Sequence, residues 1–571
     1  MLPSTTASDH GDKRRRLAVL KHDSPYVTQS ALGSIIKHIS DHGLPCSNDE
    51  GISRHSIRRA RDADLLVNTP FGPLLTTIEV PAVAGGVFHF EVACPFGMLY
   101  LAAQTQYFGQ LLWNTYIRDP PSAVRPWGVV IYSDEVTPGN AMKIFNERMT
   151  QSIYWSFVNF GSAALSKEDN WFTWATIKSS DVREVDGGMS CIIAELVKAM
   201  FHPTDHAFHR AGILVNGGRI FDSIRIFAEF SCCLSDESAL HQTWMCKGAG
   251  GVKCCVECLY IVNPHWMALE ALPDDANLKP FTDPSTWDAS ALVPHDIYTI
   301  HAIVDDLKAV HDSGALAPTP WVEKQRRVGF SHNNNSILLN PALRSIVDPS
   351  KQNCFDWPHC VLAGIFPVVV GNIATALHSD GARLYEPLNE HVRLFTWPKS
   401  LAEKGATGVK CFIPRRATSS RKAKLWKASQ SEMLSVFMVV AHWFRAVVQP
   451  SGMLPLACNC LAALTLLTSM YVASAKGLVD PIELAKVIRM FMESYAVAFG
   501  LDGMIPKFHY IVHSPQSLRK WGFLPNTLAL ERKHKTIKNT VRRSPTITSP
   551  PVALYAKWRR NTCTHCKQLI I

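Results

Sequence analysis

Residues 127–134, WGVVIYSD, are an apolar run that ends on a carboxylate, and the reading of the fold turns on them. Runs of β-branched and aromatic residues bounded by turn signals read as strands. Two more such runs follow, SIYWSFVNF at 152–160 and WFTWATI at 171–177. MSCIIAELVKAMF (189–201) then reads as a helix, and GILVNGG with RIFDSIRIFAEFSCCL as a ribbon and a fourth strand. That strand ends on a second acidic pair, Asp236 and Glu237, which opens another helix. A carboxylate at the C-terminal end of a buried strand is held rigidly with its oxygens toward a crevice. Asp134 is therefore the first candidate site residue and Asp236 the second, and their neighbours Glu135 and Glu237 stay open as alternatives.

Three strands, a helix and a fourth strand is the order of an RNase H-like sheet, in which the end of the first strand lies beside the end of the fourth. Upstream, residues 69–126 hold the strands LLTTIEV and GVFHFEV and one aromatic helix, MLYLAAQTQYFGQLLWNTYI, closed by Asp119-Pro120-Pro121. Those strands either extend the core sheet or form a separate module. Residues 29–64 read as two short helices in a helix-turn-helix arrangement, with Arg54, Arg58, Arg59 and Arg61 on the second. The polar first 28 residues carry Lys13-Arg14-Arg15-Arg16, the composition of a nuclear-import address or of a solvated tail. Downstream, FDWPHCVLAGIFPVVVGNIATAL reads as a buried helix entered through Asp356 and His359, and 431–500 as long helices. Met453–Ala475 runs 23 residues without a charge. Its Pro455, Asn459 and Ser/Thr content point to a fully buried helix rather than a membrane span.

The chain has 571 residues, 47 % hydrophobic and 19 % charged, which excludes a disordered chain or a coiled-coil rod. Sixteen cysteines are too sparse for a disulfide scaffold. With no apolar targeting run behind the opening MLPSTTASDHGDKRRR, secretion is not expected, and the cysteines read as reduced thiols or metal ligands. The formal net charge of +10 is concentrated: residues 507–560 hold twelve Lys/Arg and one acid, and 404–427 hold eight Lys/Arg and none. Clusters of this kind fit a polyanion partner, nucleic acid first.

The one acid in that C-terminal stretch is Glu531, either an anchor for its basic neighbours or a metal ligand among phosphate-binding groups. With Asp134 and Asp236 it would complete a carboxylate set able to hold two Mg²⁺ or Mn²⁺ ions. A second signal is the C-x₂-C pair Cys255 and Cys258 with the H-x₃-H pair His509 and His513, the ligand types and spacing of a Cys₂His₂ zinc site. A further C-x₂-C, Cys563 and Cys566, is given no role.

This order of Asp, Asp, C-x₂-C, H-x₃-H and Glu resembles the DDE transposases of the CACTA/Mirage/Chapaev superfamily, to which the Transib enzymes and the V(D)J recombinase core are similar. KFHYIVHSPQSLRKWGFLPNTLALERKHKTIK is similar to their KxHxxxH…G…ERxH…K stretch, and FDWPH to their D-x-x-H segment. The resemblance implies an α/β fold in which an RNase H-like mixed-sheet core is interrupted by a large α-helical insertion, beside a small N-terminal α+β region. The implied spans are 1–28 basic tail, 29–126 N-terminal region, 127–262 first part of the core, 263–500 mainly helical insertion, 501–545 second part of the core and 546–571 basic tail. It implies that Asp134, Asp236 and Glu531 hold the Mg²⁺ ions, with Glu135, Glu237, Asp356 and His359 as additional candidates. It implies one structural Zn²⁺ on Cys255, Cys258, His509 and His513. Arg532, Lys533, Lys535, Lys538, Arg542 and Arg543 are the expected DNA contacts. The implied activity is metal-dependent strand cleavage followed by 3′-hydroxyl strand transfer on double-stranded DNA, at transposon ends and target, by a nuclear homo-oligomer. No membrane and no small-molecule substrate are expected. The alternative is a catalytically decayed or domesticated derivative that binds DNA without cutting it.

Overall fold

The computed structural model of the protein describes residues 29–42, 67–137, 149–202, 206–266, 277–379, 384–397, 420 and 425–543. The chain divides into two compact units, Met1–Asp64 and Leu65–Ile571. In the first, the described element is the helix Gln29–His42. The second expected helix with its four arginines lies outside the described residues, as do both tails, the 404–419 part of the basic stretch, Cys563 and Cys566.

The second unit is built on a mixed seven-stranded sheet. Its strands are β1 (Leu75–Pro81), β2 (Val87–Ala93), β3 (Trp127–Val136), β4 (Thr150–Phe157), β5 (Phe172–Lys178), β6 (Ala228–Ser235) and β7 (Asn353–Phe355), in the spatial order β7-β6-β3-β4-β5-β2-β1. β1 through β5 pair antiparallel along the sheet, with β2 against β5. β3, β6 and β7 run parallel. The strands at 75–93 therefore extend the main sheet. The span 263–500 contributes β7 to it as well, an element of three residues, too short to show a periodic pattern.

The pleat explains why WGVVIYSD reads as unbroken apolar sequence. Successive side chains alternate between faces. Val129 and Ile131 enter one core with Trp155 and Phe157, while Val130, Tyr132 and Val136 enter another with Tyr154, Leu530 and Ile537. A strand covered on both faces needs apolar residues at every position. Helices α1 (Pro95–Ala103), α2 (Gln106–Arg118) and α3 (Gly188–Phe201) supply the first core, and Phe96, Leu112 and Leu196 are fully or almost fully buried there. The single aromatic helix expected at 98–117 is thus two helices. Thr105 has extended backbone and its side chain caps the N–H of Phe108, so it starts a new helix instead of continuing the old one.

Beyond β6 the chain is mainly helical: α4 (Glu237–Trp244), α5 (Ile297–Ser313), α6 (Pro318–Val328), α7 (Phe366–Ser379), α8 (Gln430–Trp443), α9 (Pro455–Ser474), α10 (Pro481–Phe499), α11 (Pro506–Tyr510), α12 (Ser514–Trp521) and α13 (Leu528–Arg543). Helices α7 to α12 share one apolar core that includes Phe366, Val440, Leu464, Ile488 and Phe508, and Cys255 and Cys258 join it. Helix α13 lies over the second face of the sheet through Leu530 and Ile537. Among the described residues, three helices are long and apolar enough to cross a membrane by length and composition, Trp357–Leu377, Glu432–Ser451 and Pro455–Ser474. The last was expected to be fully buried. It buries Leu461, Leu464, Leu467 and Tyr471 but leaves Leu456, Leu466 and Val472 exposed, so it covers the core with one face only.

Candidate metal centres

The strand ends bring the first centre together. β6 and β3 are aligned with Cys233 opposite Ile131. Two residues on, the Ser235 hydroxyl accepts from the N–H of Ser133 at 3.1 Å and donates to its carbonyl at 3.0 Å. That register sets Asp236 alongside Asp134. β7 pairs Phe355 with Ser235, so Asp356 follows on the other side of Asp236. Three aspartates thus stand at the C-terminal ends of three adjacent parallel strands.

Alternation decides between Asp134 and Glu135. Asp134 shares the face of Tyr132, whose hydroxyl donates to Asp134 Oδ2 at 2.9 Å. Glu135 points to the opposite face, where its Oε1 accepts from Ser179 Oγ at 2.6 Å. Helix α13 covers the Asp134 face and delivers two groups, Glu531 and His534. Ligand atoms of Asp134, Glu531 and His534 lie within 4.8 Å of one another. His534 Nδ1 stands 3.6 Å from Asp134 Oδ2 and 3.9 Å from Glu531 Oε2. The imidazole is stacked against Tyr132 and Tyr154, with ring centroids 5.9 and 5.8 Å away. His534 is the histidine of the ERxH match, but it was given no site role because it sits in the basic run ERKHK. The signal that finds it is helical spacing, since Leu530, His534 and Ile537 are the buried positions at i, i+4 and i+7.

Burial, then the charges of Glu531 and Asp236, push the Asp134 carboxyl up to about 7. Burial, and next to it the Asp356 charge, also raises Glu531 against the opposing pull of His359. Burial together with Lys538, His359 and Lys533 holds His534 down to about 3, so it is a neutral imidazole with a lone pair to give. Like charges crowded in a half-dry crevice with a neutral imidazole are a donor set that could hold a metal ion. Asp236 also caps α4, accepting from Ala239 N at 2.8 Å. Its neighbour Glu237 turns away, and its Oε1 accepts from the Tyr510 hydroxyl at 3.0 Å.

Asp356 is fully buried and spends its oxygens inside the protein. It accepts from the N–H of Thr527 at 2.9 Å, from the Thr527 hydroxyl at 3.0 Å and from His359 Nδ1 at 2.6 Å. Burial opposes charge on His359, but the hydrogen bond and charge of Asp356 prevail and raise it to about 9. Its other nitrogen, Nε2, faces Glu531 Oε1 at 3.8 Å. Pro358 occupies the first turn after the Asp356 cap, where a missing N–H costs nothing.

Just beyond, Val361–Ile365 forms a π turn, and Lys507 Nζ donates to the carbonyl of His359 at 3.2 Å. Gly364 makes room for it: a Cβ there would stand 2.4 Å from Lys507 Cδ and 3.2 Å from the same carbonyl. Gly364→Ala gains about 1 kcal/mol of helix propensity but displaces Lys507 and strands the carbonyl, at about 1–3 kcal/mol. The expected net loss is about 1 kcal/mol in denaturant unfolding. Lys507→Met, which removes the same bond without the clash, should be at least as destabilising; a neutral Lys507→Met would show that the bond carries nothing.

The expected DNA contacts divide. Lys533 donates to the carbonyls of Glu168 and Trp171 and lies over the Tyr154 ring, so its ammonium is held within the protein. Arg532 donates to the Ser166 carbonyl and pairs with Glu168 at 3.2 Å. Lys538 lies near enough to Glu531 for its charge to favour the carboxylate. Lys535, Arg542 and Arg543 are on α13, and their side chains lie outside the described residues.

The second centre unites the two halves of the cysteine–histidine pattern. Cys255 and Cys258 sit on the loop after α4, held where His295 N donates to the Glu257 carbonyl and Leu259 N to that of Val293. His509 and His513 lie across α11 and the 3₁₀ turn that follows it. All four are buried, and their ligand atoms lie within 4.8 Å of one another. His513 Nε2 is 3.4 Å from Cys255 Sγ, 3.5 Å from Cys258 Sγ and 3.2 Å from His509 Nε2. Tetrahedral zinc, with bonds of ~2.3 Å to sulfur and ~2.0 Å to nitrogen, sets ligand atoms roughly 3.3–3.8 Å apart. The cluster therefore fits zinc, and it can bind a metal of that kind. Glu257 Oε2 stands 3.3 Å behind His513 Nδ1, and Glu257 accepts from Asn353 Nδ2 at 2.7 Å, the outer carboxylate that orients a ligating imidazole. No protein-family model matches the sequence, and no curated protein matches it.

Proposed function

We propose that this protein is a DDE-type transposase, which hydrolyses a strand of double-stranded DNA at transposon ends and joins the freed 3′-hydroxyl to a target phosphate, displacing the target strand's own 3′-oxygen. The observation that carries the proposal is the meeting of Asp134 and Glu531, from nearly opposite ends of the second unit, with Asp236 beside them and His534 behind. The strand order supports an RNase H-like core: β5-β4-β3 form an antiparallel meander, and β6 then β7 add in parallel to the far side of β3. The helices between β7 and α13 would then be the greater part of an insertion that splits this core.

In this reading Asp134, Asp236, Glu531 and His534 would hold two Mg²⁺ or Mn²⁺ ions. Such ions supply a nucleophile at neutral pH and charge stabilisation at the phosphate. The chain's own part is positioning. Tyr132 and the Glu135 N–H fix both oxygens of Asp134. Asp356 holds His359 cationic, so His359 Nε2–H is aimed at the cluster, where it would donate to a phosphate oxygen. Lys535, Lys538, Arg542 and Arg543 would follow the DNA backbone, since Arg532 and Lys533 are occupied by Glu168 and backbone carbonyls. Zinc on the four Cys/His ligands would tie the loop after α4 to α11. Nuclear location and assembly into a homo-oligomer follow from the same reading.

The test is incubation of the purified full chain with supercoiled plasmid and Mn²⁺ or Mg²⁺. Nicked circles that disappear with chelator are expected, as is DNA binding whose affinity falls steeply with salt. Salt-sensitive binding with no nicking in either metal would favour the non-cutting alternative, and no binding at all would overturn both.

A further inference from the structure

We propose that His311, Asp312 and His332 form a third metal site, for a first-row transition-metal ion of the zinc class, separate from both centres above. His311 and Asp312 end α5, and His332 lies in the loop after α6. Ligand atoms of the three come within 4.8 Å of one another. The two imidazoles are close, with centroids 4.5 Å apart and planes 38° from parallel, and Trp321 backs both at 5.9 Å. Neither nitrogen of His332 has a hydrogen-bond partner among the described residues, although both atoms are shielded from solvent. An imidazole with two shielded, unpaired nitrogens is costly unless something accepts or supplies a bond. A metal ion held at the ring edges, on one nitrogen of each imidazole, does so for one of the two His332 nitrogens.

The backbone under His332 is fixed. Its N–H donates to Gln325 Oε1 at 2.9 Å. Asn333 and Asn335 clamp the two oxygens of Asp186 at 2.8 and 2.7 Å, just before α3. Asp312 also pairs with Lys308 at 2.6 Å, and its other oxygen is 3.2 Å from His311 Nδ1. Lys308, about half exposed, also donates to Asn334 Oδ1 at 3.0 Å, and an ion taking that Asp312 oxygen would displace its ammonium, leaving two imidazoles and one carboxylate as protein ligands. Two nitrogens and one oxygen select zinc, nickel or copper over magnesium or calcium. The ion would tie the end of α5 to the loop that holds Asp186.

The full chain carrying Asp134→Asn and Glu531→Gln, which disable the carboxylate centre, is dialysed against zinc chloride and its bound zinc counted. Adding His311→Gln or His332→Gln is expected to remove one ion per chain, and Asp312→Asn to weaken that ion about tenfold. His311 is half exposed, so its loss does not endanger folding. An unchanged zinc count in the His311→Gln protein overturns the site, whatever becomes of His332→Gln.

Discussion

Asp134→Asn is expected to abolish metal-dependent nicking, by about 10³-fold or more, while making the metal-free protein more stable. Both halves come from the same crowding. Several kcal/mol of transition-state stabilisation depend on a metal that this carboxylate helps to hold, and each 1.4 kcal/mol is about tenfold in rate. In the absence of metal the carboxylate is a burden. Burial and the charges of Glu531 and Asp236 raise it from an ordinary value near 4 to about 7. A carboxyl raised on folding binds its proton more tightly in the native state, so the strain is absent at low pH. It grows as the pH rises from about 4 to 7, and is fully present above that. Asparagine cannot ionise, has the shape of the original side chain and keeps an oxygen for the N–H of Glu135, while its amide N–H donates to a Tyr132 hydroxyl turned to accept. Unfolding at pH 8 with chelator should therefore show a gain on the order of 2–4 kcal/mol, shrinking toward zero by pH 4. Nicking that persists in the variant would remove Asp134 from the metal set. A variant no more stable at pH 8 would mean that burial and the neighbouring carboxylates do not destabilise the Asp134 charge.

The legible part of this site was written in local chemistry. Asp134 and Asp236 end strands that are mainly apolar, and the unbroken run Val129–Tyr132 is visible because both faces of β3 are covered. Cys255, Cys258, His509 and His513 declare themselves by spacing, since ligand geometry is satisfied by residues a few positions apart. Asp356 stands on firmer ground in the structure than in the sequence. Its strand, Asn353–Phe355, is too short for periodicity, and its neighbours do not alternate. Its place is fixed by pairing with β6, a long-range contact that no local window contains. Lys533 and His534 were obscured by the opposite effect. A run dense in Lys and Arg reads as a solvated or DNA-facing surface, but on α13 every third or fourth residue turns to the sheet, so the same run delivers a buried imidazole and, on the half-buried Lys533, an ammonium tied to backbone carbonyls. The choice between Glu135 and Asp134 needed only parity: Tyr132 and Asp134 share one face, and Glu135 takes the other.

Cys258→Ala is expected to behave in the contrary way, losing zinc, stability and nicking together. Removing one of four ligands takes away the Cys258 hydrogen bond that, with His513, holds the Cys255 thiol well below its usual range against the cost of burial, and with the ion gone it leaves that thiol and two imidazoles buried without their shared partner. Such a loss costs on the order of 3–5 kcal/mol or more, part of what a structural zinc contributes to folding. The damage should reach the carboxylates through three contacts. Glu257 links His513 to Asn353 on β7. The Tyr510 ring stacks on Phe355 with centroids 3.9 Å apart and planes within 7°. Lys507, on the same short helix as His509, holds the carbonyl of His359. Loosening α11 therefore frees the strand end and the turn that aim His359 at Glu531. The pair of variants separates two causes of inactivity. Asp134→Asn should lose cutting with its zinc count intact and its unfolding transition raised, and Cys258→Ala should lower all three quantities. A Cys258→Ala protein that keeps its zinc, or that loses zinc yet nicks at the original rate, would break the link between the two centres. The aspartate result would still stand alone, because the carboxylates meet through strand register and α13 rather than through the metal behind them.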